Sequence, residues 1–101
     1  MAEPGNIAFG RYLRALRERR ALSLLEVASL SQAFAETLNK GYLSRVENGR
    51  QRLAFAKLIP LGRIYKVAAD VLLERLELDL ELERVGAPDT EGLDLEELRR
   101  R

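Results

Sequence analysis

The stretch 39–49, Asn39-Lys40-Gly41-Tyr42-Leu43-Ser44-Arg45-Val46-Glu47-Asn48-Gly49, constrains this chain more than any other. Wound as a helix at about 100° per residue, it separates into two faces. Leu43 and Val46 form an apolar side with Tyr42 at its edge. Lys40, Gly41, Ser44, Arg45 and Asn48 share a polar arc about 140° wide. Asn39 suits the start, because its side-chain oxygen can accept from a free first-turn amide. Asn48-Gly49 suits the end, since glycine accepts the left-handed conformation that closes a helix. The expectation is a helix of about two and a half turns, apolar beneath and cationic above. So short a helix is not stable alone. The fold must hold it out from a core.

The rest of the chain can supply such a core. At 101 residues and 47% apolar composition, one small domain is expected. No run of about 18 apolar residues exists, so no transmembrane helix and no membrane partner are expected. The first six residues lack the basic and apolar blocks of a secretion signal, which points to the cytoplasm. Cysteine and histidine are both absent. That removes disulfides, thiolate chemistry, the commonest general base and the commonest metal ligand. There is also no Gly-rich phosphate loop, metal-ligand cluster or nucleophile–base pair, so no enzyme, metal or cofactor is expected.

The net charge of +1 hides a segregation. Residues 1–66 carry 12 Lys/Arg against 5 Asp/Glu, and residues 67–101 carry 5 against 11. A basic front suits a polyanion, most plainly nucleic acid, and the acidic rear should face away from it.

Taken in order, residues 1–5 read as a loose tail. Asn6 can cap a first helix over 6–20, with Phe9, Tyr12, Leu13 and Leu16 inward. Its five arginines suit either plain solvation or phosphate contact. Ser23-Leu24-Leu25-Glu26 is a capping box that opens a second helix. That helix either extends to about residue 36 or breaks near 29–31 into two pieces. After Gly49, Arg50-Gln51-Arg52 is a basic loop of the kind that grips a backbone. A fourth helix is expected over 54–65, with Phe55, Leu58, Ile59, Leu61 and Ile64 inward and a kink at Pro60.

From about residue 68 a fifth helix is expected. Leu76 to Glu83 alternates with period two, a strand pattern, but the residues lack β-branching and favour helix. Read helically they give two stripes, Leu72, Leu73, Leu76 and Leu80, and Val71, Leu78, Leu82 and Val85. The second stripe is expected to pair two copies into a homodimer. The acidic residues of 70–83 read as a solvated face. Residues 86–92 read as a linker and 94–101 as a short helix, which is either a cut through a longer protein, with a further domain or protein partner beyond it, or a frayed natural tail.

Three strings now resemble one family. Leu13-Arg14-Ala15-Leu16-Arg17, Ser23-x-x-Glu26-Val27-Ala28 and Tyr42-Leu43-Ser44-Arg45-Val46-Glu47-Asn48-Gly49 are similar to the Cro/C1-type (XRE-family) helix-turn-helix domain of bacterial and phage regulators. The resemblance implies an all-α, five-helix lambda-repressor-like bundle over 6–76, with a helical extension at 77–85 and the linker and short helix at 86–101. It implies a transcription regulator that binds double-stranded DNA at the nucleoid, as a homodimer on a palindromic operator. Lys40, Gly41, Ser44 and Arg45 would then face bases, Asn39 and Tyr42 bases or phosphates, and Asn48, Arg50 and Arg52 the backbone. Arg17 and Glu47 would form a structural ion pair. The chain departs from the family's pattern in four places. The run from Ser23 to Tyr42 is long, Leu24 replaces a common glutamine, Gly41 offers no side chain, and Pro60 takes a helical position. The alternative is a protein-interaction module on the same fold, with Leu24, Leu25 and Phe34 as contacts.

Overall fold

The computed structural model describes residues 4–84. Five α-helices follow in order: α1 (Pro4–Arg19), α2 (Leu24–Ser31), α3 (Lys40–Glu47), α4 (Leu58–Tyr65) and α5 (Ala69–Arg84), with a 3-10 turn at Phe55–Lys57 leading into α4. The described residues contain no strand. α1 packs on α3 and α5, α4 on α2 and α5, and α2 on α3. Leu13, Val27, Leu38, Leu61 and Leu72 lie at the centre, each almost fully buried. The all-α five-helix bundle is therefore the fold.

α1 begins two residues before Asn6, the expected cap. Pro4 suits a first helical position, where its fixed φ is pre-organised and its missing N–H costs nothing. The next amide, Gly5 N–H, donates to Glu83 Oε2 of α5 at 2.9 Å. A long-range carboxylate thus does the work expected of Asn6. α2 opens as expected: Glu26 N–H donates to Ser23 Oγ at 3.0 Å and Ser23 N–H to Glu26 Oε1 at 2.9 Å.

α2 stops at Ser31, where a break was expected, but no second helical piece follows before α3. The Ser31 hydroxyl is fully buried, donates to Ala28 O at 2.7 Å and accepts from Leu38 N–H at 2.8 Å. One side chain therefore stops the helix and pins the returning strand of chain beside it. The extra length before Tyr42 lies in this loop, with Leu38 buried at its far end and Phe34 packed half-buried against the core.

α4 differs from the expectation. The chain enters through the 3-10 turn, whose tighter winding changes the phase, so Phe55 (71% exposed) and Ile59 (55% exposed) point outward. Leu58, Leu61 and Ile64 are buried as expected, and Tyr65 joins them. Pro60 is the third residue of α4, so its missing N–H falls among first-turn amides that no helix satisfies, and it requires no kink. Gly62 lets the chain fold back, for Val67 N–H donates to Gly62 O at 2.9 Å.

α5 is helical through the alternating run. Its buried residues are Leu72, Leu76, Asp79 and Leu82, one face at i, i+4, i+7 and i+10. Two expectations are corrected here. Leu82 is only 4% exposed and belongs to the protomer's own core, not to an outward stripe. Asp79 is buried rather than solvated, 3.2 Å from the Arg75 guanidinium, which stacks 4.5 Å over the Tyr12 ring. Val71 is 46% exposed and Leu78 half-buried. Val85 and the expected linker and helix at 86–101 lie outside the described residues.

Candidate nucleic-acid interface

α3 is capped and closed by the local residues that the stretch 39–49 offers. Asn39 Oδ1 accepts from Tyr42 N–H at 2.7 Å. Gly49 takes φ +73°, and Arg50 N–H reaches back to Arg45 O at 2.9 Å. Leu43 and Val46 face the core at 2% exposure each. Lys40, Gly41, Arg45 and Asn48 are exposed and Ser44 is half-buried, so the polar arc faces outward.

The end of α3 is locked to α1. Arg17 Nε donates to Glu47 Oε2 at 2.7 Å and its Nη2 to Glu47 Oε1 at 2.9 Å, a two-point fork. The third arm of the same guanidinium donates to Leu22 O at 2.8 Å. Hydrogen bonding to Glu47 raises the Arg17 pKa above its ordinary value against the opposing effect of burial. Beneath the pair, burial pushes the Tyr65 hydroxyl well above the usual tyrosine range, and the Glu47 charge adds to the shift. Backbone contact supplements these charges. A Cβ placed on Gly10 would lie 2.5 Å from Val46 O, and one on Gly49 would lie 2.7 Å from Ile7 Cα. Both glycines are therefore required where α1 and the α3 exit touch. Neither composition nor a turn signal marks Gly10, since its role exists only once the two helices meet.

On the outward face, Arg45 is held by a residue the sequence reading did not single out. Arg45 Nε donates to Gln51 Oε1 at 2.7 Å. Its Nη1 lies toward Gly41, as helical side chains lean toward the N-terminus. Asn48 Nδ2 donates to Ser44 O at 2.8 Å, so its amide serves the helix end as well as the surface. Arg50 and Arg52 are exposed on the segment that follows, and Asn39 is exposed at the start.

Tyr42 departs from the expected outward role. It is 7% exposed, its hydroxyl accepts from Ala54 N–H at 2.8 Å, and Lys57 Nζ sits 5.2 Å from its ring centre. Its position between Arg45 and Val46 around the helix turns it inward, where it anchors the segment after α3. Lys57 also donates to Thr37 O at 2.8 Å, fastening the loop before α3. Leu24, in place of the family's glutamine, packs half-buried on the core, whereas Leu25 is 65% exposed.

The described residues hold no group of three or more potential metal ligands and no helix long and apolar enough to cross a membrane. A family model described as a helix-turn-helix domain matches residues 8–76. Among solved structures, the chain is similar to the restriction-modification controller protein C.AhdI from Aeromonas hydrophila, with 27% identity, a TM-score of 0.58, and coverage of 66% of this chain and 90% of that one. It is also similar to the clp gene regulator ClgR from C. glutamicum, with 25% identity, a TM-score of 0.57, and coverage of 72% and 88%. A second ClgR structure, at 23% identity and TM-score 0.60, covers 95% of this chain and shares the fold. No curated protein sequence matches.

Proposed function

Because the chain belongs to the helix-turn-helix domain family, of the Cro/C1 type that its motifs resemble, we propose that it is a sequence-specific DNA-binding transcriptional regulator. The observation that carries this reading is the outward polar arc of α3, clamped at its end by Arg17, Gly10 and Gly49. A helix presented in that way suits the major groove. Arg45 and Lys40 would donate to guanine O6 and N7, and Ser44 to either base type. Asn39, Asn48, Arg50 and Arg52 would line the backbone and fix register. Tyr42 supports the helix from beneath. The regulators C.AhdI and ClgR, named above for their own roles, agree with this reading.

The protein acts as a homodimer on a palindromic operator, with two α3 helices about 34 Å apart on successive half-sites. The pairing surface differs from the expected stripe, since Leu82 is internal. Phe55, Ile59 and Val71 are the large apolar residues left exposed near the starts of α4 and α5. Ile59 lines a shallow groove with Val67, Ala68 and Ala69. Ile59→Glu should convert a dimer into a monomer in sedimentation equilibrium, and an unchanged mass would remove this surface from the account.

The experiment that tests the function is selection from random duplexes with the purified chain. A palindromic motif is the expected product, and recovery of unrelated sequences contradicts specific binding. Leu25, exposed on α2, favours a second reading as a protein-interaction module. A protein partner retained at high salt, without any shift of duplex DNA, would establish that reading instead.

A further inference from the structure

Among the described residues a glycine marks a place where two backbones meet, with one exception. Five glycines fall among the described residues. An added Cβ would lie 2.7 Å from Asp79 O at Gly5, 2.5 Å from Val46 O at Gly10, 2.7 Å from Ile7 Cα at Gly49 and 2.6 Å from Val67 O at Gly62. Real Cβ atoms essentially never approach within 3.0 Å, so the fold itself requires all four. Gly41 is different. It sits exposed in the first turn of α3 and does not take a positive φ. The atoms nearest its added Cβ are Arg45 Nη1 at 3.3 Å and Asn39 Oδ1 at 3.5 Å, both at side-chain ends. The exposed Arg45 end can yield a few tenths of an ångström. An exposed helical glycine is also less stable than alanine. Nothing within the described chain asks for glycine here.

We propose that Gly41 is a notch in the face of α3 that admits the projecting edge of a base pair in the major groove. The proposal rests on the DNA-binding reading and adds to it a residue that acts by having no side chain. Gly41 lies within the polar arc, flanked by Lys40, Ser44 and Arg45, so the body that approaches it is one these donors can hold. A methyl group at that point would stand α3 away from the base edges and stretch those hydrogen bonds beyond their working range. Apolar contact between a small residue and a thymine methyl is one way such a notch is filled.

The test compares wild type, Gly41→Ala, Arg45→Ala and the double variant on the selected duplex and on a scrambled one. Gly41→Ala is expected to raise Tm by about 2–8 °C. It should nonetheless weaken the selected duplex by about tenfold or more and leave the scrambled duplex within about twofold. The loss should persist in the Arg45→Ala background. Selected-duplex affinity within about twofold of wild type would overturn the proposal. An equal loss on the scrambled duplex would also overturn it, placing the contact on phosphates rather than bases. Disappearance of the loss in the Arg45→Ala background would do the same, by showing that Gly41 only seats the arginine. Wild-type protein that binds neither duplex overturns both this proposal and the reading beneath it.

Discussion

The two ends of α3 are held in different ways. At the Glu47 end, α1 lies in backbone contact through Gly10 and Gly49, and Arg17 forks onto Glu47. At the Asn39 end the attachments are side chains on backbone: Asn39 on Tyr42 N–H, buried Ser31 on Leu38 N–H, and Lys57 on Thr37 O. Backbone contact enforced by glycine has no rotamer to adjust. The exit of α3 therefore fixes where the helix sits, while the start is held by groups that can be removed singly at modest cost. That division suits a helix whose first turns must meet an external surface.

Substitutions can break this comparison in order of severity. Glu47→Ala leaves Arg17 mostly buried without its fork, and stability should fall by about 3 kcal/mol in urea denaturation. Gly10→Ala drives a methyl into the Val46 carbonyl and should cost about 2 kcal/mol or more, visible as a lower Tm. Ser31→Ala strands the buried Leu38 amide and should cost about 1–2 kcal/mol. If Ser31→Ala proved as damaging as Glu47→Ala, the claimed asymmetry between the two ends would be wrong.

A smaller effect lies at the cap of α2. The Ser23 backbone N–H first, and its hydroxyl hydrogen bond second, hold the Glu26 carboxyl below its ordinary 4.5. The folded state therefore resists protonation there. This contribution is complete above about pH 4.5 and is lost as pH falls through the lowered value. Glu26→Gln should flatten the acid limb of the stability profile relative to wild type, and parallel limbs would show that the cap carries no such linkage.

Much of this was legible where the code is local. Asn39, Asn48-Gly49 and the Ser23–Glu26 box act within one helical turn, and each behaves as its residue type dictates. The absence of β-branching in Leu76 to Glu83 was enough to favour helix over strand. The Arg17–Glu47 tie was legible through the family resemblance alone, because 30 positions separate the partners. What escaped depends on packing. Asp79 and Leu82 are buried because α5 lies along α1. Phe55 and Ile59 turn outward because a 3-10 turn precedes α4, and Tyr42 turns inward to reach the Ala54 amide. Gly10 carries no local signal and Ser31 signals only a break in α2; the roles of both at distant backbone arise only when that backbone arrives beside them.

The central claim is that the outward arc of α3 reads base sequence while the basic segment after it grips phosphate. Titration of the selected and scrambled duplexes with wild type, Arg45→Ala and Arg50→Ala, at about 50 and 200 mM salt, tests it most directly. Wild-type affinity should fall steeply across that interval. Arg45→Ala should narrow the gap between the two duplexes without closing it, and Arg50→Ala should weaken both alike. Affinity indifferent to salt, or an Arg45→Ala protein that discriminates as well as wild type, would contradict the account.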